Sequence, residues 1–313
     1  MKKTLAIFVC LMVLLASCAS EIKTEVASGD ATVYDNYGRE VSISAVPEKV
    51  LTLGPNCTEL FAALGLSDKV IGRSLINHSR GPLPEFADAV NSIPELNYAE
   101  ATREAILTSG ADFIYAIDWE ISDAGCNIEE AESYGMNVYV NSATTLDAQY
   151  AEILDIGKIF GIEERAEAFV EDQKSRIAAV GEKLSEKEPI KVLVYDSGND
   201  GVFTCSGTNF ESLIISCAGG KNIFDDITEK QWVTVSYEEV IKRNPDVILI
   251  HDYDSPSVEA KIAEIKANPT LASLDCVKND RFATITLESV LPGNRMAYAV
   301  EKLAEEFHPD MAD

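Results

Sequence analysis

The sequence predicts an α/β protein made of two parallel-sheet lobes joined by one long helix. A long helical stretch lies near mid-chain, strands alternate with helices on both sides of it, and one helix–breaker–strand segment occurs twice. Residues 163–187 contain no proline and a single glycine, Gly181. Ala166, Phe169, Val170, Ile177, Val180 and Leu184 recur at helical spacing, charges fill the opposite face, and Pro189 ends the run. At a rise of ~1.5 Å per residue this rod is roughly 37 Å long, about the width of a small domain. A short helix and a break precede it, from Thr145 onward. The rod alone also fits a surface helix of a single domain; the α/β patterning on either side is what makes it a strut.

The duplicated segment spans residues 103–115 (REAILTSGADFIY) and 237–249 (YEEVIKRNPDVIL). Each reads as a two-turn helix, a breaker, an Asp and a strand, with Glu104 and Glu238 eight residues before Asp112 and Asp246. Each is followed by a further helix and strand, 128–134 then 138–140 in the first copy, 258–267 then 282–285 in the second.

The remaining elements follow in chain order. Lys2 and Lys3 precede an apolar run over residues 5–16, too short to span a bilayer comfortably and of signal-peptide length. The run ends Leu15-Ala16-Ser17-Cys18, like a bacterial lipobox with Cys18 as the lipidated residue; an ordinary signal peptide with an incidental Cys is the alternative. Residues 1–17 are then a signal peptide and 18–30 a polar tether. Residues 33–43 read as a β-hairpin turning at Asn36-Tyr37-Gly38, and 50–53 as a buried strand broken by Gly54-Pro55. Asn56, with Glu59 three residues on, has capping-box spacing for a helix that Gly65 closes. Residues 69–72 form the next strand, which places the first lobe at 31–162. A second lobe, 188–313, opens with a strand at 191–195; Thr208 with Glu211 and Ser236 with Glu239 have capping-box spacing there, and a helix over 295–307 closes the chain.

The 313 residues hold enough chain for two domains. Lys and Arg number 26 against 52 Asp and Glu, a net charge of −26, which argues against a nucleic-acid partner because phosphate binding needs basic side chains. Of seven cysteines, Cys57, Cys126, Cys205, Cys217 and Cys276 belong to the body of the protein; no C-x-x-C spacing suggests zinc or a redox pair, and their disulfide state stays open. Phosphate-loop, dinucleotide, nucleophile-elbow and H-E-x-x-H motifs are all absent, so nothing argues for an enzyme.

Ligands of parallel α/β lobes bind beyond the carboxyl ends of the strands, so two facing lobes would share a cleft. That geometry nominates Pro55, Asn56 and Thr58, then Arg73, Asn77 and His78, then Asp118 and Trp119, then His251, Asp252 and Tyr253, with Trp232 and Arg295 in neighbouring loops. Each also has a plain structural reading: surface cation, lobe-packing aromatic, backbone cap or turn carboxylate. His78, His251 and Asp252 together would suit a metal ion.

The lipobox, the DNYGREV hairpin, PEKVLTLGPNCTEL, LGLSDKVIG, AGGKNIFDD, WVTVSYEEV and NPDVI occur in that order. Over about residues 30–310 this run resembles the substrate-binding lipoproteins of ABC importers for ferric siderophores, haem and vitamin B12. The resemblance implies two Rossmann-like lobes joined by a single rigid helix, the class III periplasmic-binding-protein fold. It implies an extracytoplasmic, lipid-anchored monomer with no intrinsic cofactor, partnered by a permease and a separate ATPase subunit. In the vitamin B12-binding member one Glu on each lobe engages permease arginines, and these fall on Glu104 and Glu238. That member's corrinoid-stacking Trp falls on Trp232, while its other aromatic falls near Tyr98. One half of its second-lobe disulfide matches Cys217, but the partner position is Ala304. The implied ligand is an iron chelate or tetrapyrrole-like metal complex. Ferric siderophore comes first, met by Arg73, Arg80 and Arg295, with haem and cobalamin next. A bare-metal receptor through His78, His251 and Asp252, or a metalloenzyme on the same residues, are the alternatives.

Overall fold

A β-hairpin opens the part of the chain that the structure, a computed structural model, describes: residues 31–198 and 200–311. The segment read as a signal, Cys18 with it, and the tether lie outside the described residues. β1 (Thr32–Asn36) pairs antiparallel with β2 (Arg39–Ile43) across Tyr37 and Gly38, both at positive φ, as a tight hairpin loop requires.

The chain then runs β3 (Val50–Leu53), α1 (Pro55–Ala63), β4 (Val70–Ser74), α2 (Ala87–Ser92), α3 (Arg103–Thr108), β5 (Phe113–Ile117), α4 (Ile128–Ser133) and β6 (Asn137–Asn141). The strands form one parallel sheet in the order β4-β3-β5-β6. β3 and β5 are apolar and buried at nearly every position, as expected of strands covered on both faces. After α5 (Leu146–Phe160) and α6 (Glu163–Leu184) comes β7 (Ile190–Tyr195), followed by β8 (Ser197–Gly198), β9 (Val202–Cys205), α7 (Phe210–Cys217), β10 (Gly220–Asn222), β11 (Trp232–Val235), α8 (Tyr237–Arg243) and β12 (Val247–Asp252). α9 (Val258–Ala267), α10 (Asp275–Lys278), β13 (Phe282–Thr286) and α11 (Met296–Phe307) complete it. Here the parallel sheet has the order β10-β7-β12-β13, so each sheet takes its strands as second, first, third, fourth. The second half adds a small antiparallel sheet, β11-β9-β8.

The duplicated Asp has a physical reason. The Asp112 carboxylate accepts hydrogen bonds from the N–H groups of Glu48 and Lys49, while its own N–H donates to the Lys49 carbonyl. Asp246 accepts from Lys191 N–H and donates back to the Lys191 carbonyl. Each Asp thus ties the start of its strand to the start of the sheet's first strand.

The strut helix is α6, which ends at Leu184, three residues earlier than expected, and the helix before it, α5, is longer than expected at 15 residues. Gly161, left-handed at φ 66°, makes the break. The two helices touch at Gly157, where an added Cβ would lie 2.6 Å from that of Ala166. Arg165 donates to the Leu64 carbonyl at one end of α6. Near its middle, Arg176 forms an ion pair with Glu301 and the Gln173 side chain accepts from Ala297 N–H.

Two expected caps are corrected. α1 begins one residue before Asn56: Gly54 at φ 134° is its cap, in a conformation an L side chain rarely adopts, and Pro55 takes the first helical position. Asn209 rather than Thr208 caps α7, its side chain accepting from Glu211 N–H, whereas Ser236 caps α8 as expected. The body's five cysteines are free. Among the described residues, no helix is long and apolar enough to cross a membrane.

Candidate functional site

Loops at the carboxyl ends of both parallel sheets face each other across a cleft, and two adjoining cavities lie in it. One, of about 280 Å³, is lined by Asp118, Trp119, Asn141, Phe210, Gln231, Trp232 and their neighbours. The other, of about 340 Å³, is lined by Leu75, His78, Glu100, Trp119, Asp196, Phe203, Trp232, Tyr253 and Leu287. Trp119 from the first sheet's loops and Trp232 from the second's border both cavities.

Local structure fixes these rings. Trp119 sits on a 3-10 turn directly after β5. The buried Glu120 carboxylate pins that turn by accepting from Ala101 N–H and the Ser74 hydroxyl, and burial pushes its carboxyl up. His78 ends another such turn after β4, entered through Leu75 in the left-handed region, and its Nδ1 donates to the Asn77 side-chain oxygen. Its ring centroid lies 6.2 Å from that of Trp119 and 6.2 Å from that of Tyr253, the latter nearly parallel, so it spans the cleft. Trp232 opens β11, stacks on Phe203 of β9 at 5.4 Å and presents an edge to His251 at 5.9 Å.

Behind the second wall lies a closed charge cluster. His251 is fully buried; its Nδ1 is 3.0 Å from Asp196 and its Nε2 2.9 Å from Glu211. Burial opposes a charged imidazole, but the Glu211 and Asp196 carboxylates outweigh it and lift the ring to about 9. The Tyr253 hydroxyl donates to Asp196, and the buried Lys261 ammonium donates to the His251 carbonyl beneath the Tyr253 ring. Burial draws Lys261 down to about 8 despite Asp196 and Asp252. Two cations therefore face two carboxylates, and the cluster is balanced.

A second network fastens the two halves together beside the cleft. The buried guanidinium of Arg295 pairs with Glu59 of α1 and with Glu288, and it donates to the Gly81 carbonyl. Asn294 donates to Glu59, while Ser79 Oγ and Arg80 N–H donate to Glu288. Asn56, inside α1, donates to Asn141 and to the Pro292 carbonyl. Toward the rim, Arg80 pairs with Asp252 and the Tyr98 hydroxyl donates to Asp254.

The nominated residues therefore separate into groups. His78, Trp119, Trp232 and Tyr253 line the cavity. Pro55, Thr58, Arg73, Arg80 and Tyr98 line a different cavity of about 290 Å³ on the first half. Arg295 is no cleft cation, since two buried carboxylates occupy it, and Asn56 serves the junction between the halves. The metal grouping is corrected as well: both His251 nitrogens are engaged, Asp252 is paired with Arg80, and among the described residues no group of three or more His, Cys, Asp or Glu is placed to hold a metal ion. Cys217 has no partner. Glu104 and Glu238 stand exposed in the first turns of α3 and α8. Sequence reasoning missed Phe203, Asp196 and Glu288, and it took Glu59 and Glu211 for capping glutamates. The signal available for the last two was that each lies on a buried apolar helix, where a cap would be exposed.

Comparison with known proteins agrees with this architecture. The profile of the periplasmic binding protein family matches residues 50–288. An uncharacterized ABC transporter substrate-binding lipoprotein of Bacillus subtilis, YvrC, is 28% identical over 99% of both chains. A vitamin B12-binding protein of Photorhabdus laumondii is 26% identical, over 71% of this chain and 80% of that one. The crystal structure of a periplasmic binding protein from Veillonella parvula superposes with a TM-score of 0.81 at 26% identity, covering 90% of this chain and 99% of that one. With two parallel sheets of one topology, a joining helix and a shared cleft, the chain belongs to the periplasmic binding protein family, the non-enzymatic substrate-binding components of ABC importers.

Proposed function

We propose that this protein captures a tetrapyrrole-like metal complex between Trp119 and Trp232 and delivers it to an ABC permease served by a separate ATPase. The observation that carries this reading is the pair of indoles, one from each lobe, bordering a cavity edged by His78, Phe203 and Tyr253. Aromatic faces favour a flat conjugated ligand. The siderophore reading rested on Arg73, Arg80 and Arg295, and none of the three lines these two cavities; it moves behind corrinoid and haem. The relatives named vitamin B12-binding proteins favour the same class.

In this reading the lobes are residues 31–162 and 188–313, residues 163–187 are the strut, and Cys18 carries the lipid anchor. The Arg295 network limits lobe rotation, so ligand capture changes the cleft only modestly. Glu104 and Glu238 meet permease arginines, one from each lobe. The test is a titration panel of cyanocobalamin, haemin, a ferric siderophore and bare metal ions against the protein, read by tryptophan fluorescence. A saturable quench by a tetrapyrrole complex, with bare ions silent, is expected; binding of bare cations alone overturns the reading. For docking, Glu104→Arg with Glu238→Arg should abolish uptake by cells while ligand affinity stays within about twofold, as for exposed substitutions away from the cleft. Normal uptake by that variant rejects the docking role.

A further inference from the structure

The two cleft cavities are lined by three carboxylates, Glu100, Asp118 and Asp196, and, among the described residues, by no lysine or arginine. Lys230, next to Gln231 in the chain, is exposed and lines neither cavity, and the other cations beside the cleft are committed elsewhere. Lys261 and His251 lie behind the wall, balanced by Asp196 and Glu211. Arg80 is held by Asp252 on the rim, Arg295 sits between Glu59 and Glu288, and Arg73 lines the separate cavity. Glu100 and Asp118 are thus left facing the cleft with no ion-pair partner among the described residues. Asp118 is half-buried, its carboxyl is pushed up by burial, and its side-chain hydrogen bond comes from the neutral amide of Gln231. A carboxylate so placed gains from a positive neighbour and loses from a negative one.

We infer that the cleft selects flat conjugated metal complexes that carry no net negative charge, and turns away anionic ones of the same shape. The inference rests on reading the cleft as the chelate site, and it divides the ligands left open above by charge. Neutral or cationic macrocycles are admitted, whereas those bearing free carboxylates, or anionic catecholate complexes, meet like charge. A unit charge about 8 Å from a carboxylate, at an effective dielectric near 20, changes affinity on the order of thirtyfold before salt screening. Because exposed charges more than ~8 Å apart are largely screened at physiological ionic strength, the protein's overall acidity contributes little to this selection there.

A matched pair of copper porphyrins tests this: one with four N-methylpyridinium arms, one with four sulfonatophenyl arms, on the same flat core. Both are titrated at physiological salt against the full-length protein in nonionic detergent, with micelles alone as blank and neutral cyanocobalamin as reference. The cationic porphyrin is expected to bind saturably, at least about tenfold more tightly than the anionic one, and in E100Q/D118N the ratio should fall by about tenfold. Equal or tighter binding of the anionic porphyrin overturns the charge selection and leaves the receptor reading standing. An unchanged ratio in E100Q/D118N also overturns it, by assigning the preference to overall charge. If neither porphyrin nor cyanocobalamin binds, the receptor reading falls and the inference with it.

Discussion

Behind the cleft wall of the first lobe, Glu152 is buried among neutral donors: the Asn141 amide, the Ser142 N–H and the Tyr115 hydroxyl. Desolvation exceeds what those donors return, and its carboxyl is pushed up to about 7. Behind the second wall, the buried Glu211 and the half-buried Asp196 flank His251, each within hydrogen-bond distance of one of its ring nitrogens. The scaffolds are otherwise copies, with one strand order, one Asp fastening at the start of the third strand and one exposed first-turn Glu. Topology and fastenings recur in both halves, and the difference lies in side chains at the strand ends and in the small β11-β9-β8 sheet. That sheet carries Phe203 and Trp232 into the cleft, and the first lobe has no equivalent.

The largest effect should come from the junction between the lobes. Arg295→Ala leaves Glu59 and Glu288 buried without a cation and should cost about 3–5 kcal/mol. Arg176→Ala, on the more exposed strut pair with Glu301, should cost less than about 1 kcal/mol. Urea unfolding of both variants separates them; equal costs would mean that the lobes are not fastened through Arg295.

Next come two buried titratable groups, Glu152 in the first lobe and His251 in the second, whose pH windows differ. Glu152 and His251 both bind a proton more tightly in the folded state than in the unfolded one. The Glu152 contribution is complete below its unfolded value near 4.5 and is lost as pH rises through about 7. That of His251 is complete below about 6.5 and is lost through about 9. Lys261, depressed to about 8, works the other way, returning stability as pH climbs from there toward its unfolded value. Each variant is therefore read against wild type. Glu152→Gln should flatten the stability profile between roughly pH 4.5 and 7, and His251→Gln between roughly pH 6.5 and 9, each on the order of 2 kcal/mol. A common window for both variants would contradict the contrast between the lobes.

The smallest effect belongs to the duplicated fastening. Asp112→Ala and Asp246→Ala should each cost about 1 kcal/mol, with Asp112 the more costly because it accepts from two N–H groups and Asp246 from one. A difference of several kcal/mol would mean that the two copies are not equivalent.

Much of this was legible in the sequence. Helical spacing over Ala166, Val170 and Val180 gave the strut, and the paired Glu and Asp marked the duplication. A further trace of it, Pro47-Glu48-Lys49-Val50-Leu51 against Pro189-Ile190-Lys191-Val192-Leu193, went unread although the Lys N–H of each copy donates to the third-strand Asp. Trp119 was found because strand ends are readable from apolar runs, whereas Trp232, expected in a neighbouring loop, opens a strand of the small antiparallel sheet. The fate of the charges was not legible. Whether Arg295 faces a ligand or Glu59, 236 positions away, depends on how the lobes meet, which no local pattern encodes. Glu59 and Glu211 share their spacing with capping glutamates, and only burial tells the two roles apart.

A ligand held by both lobes at once should report on both indoles, which single-tryptophan variants reveal. Trp119→Ala and Trp232→Ala are titrated separately with the metal complex that the wild type binds, and the remaining tryptophan is read in each. The remaining indole should still be quenched in both variants, and each variant should lose about tenfold or more in affinity, as expected for an aromatic anchor. If one variant binds like wild type, or its remaining tryptophan is silent to the ligand, the site belongs to one lobe alone and the shared cleft is contradicted.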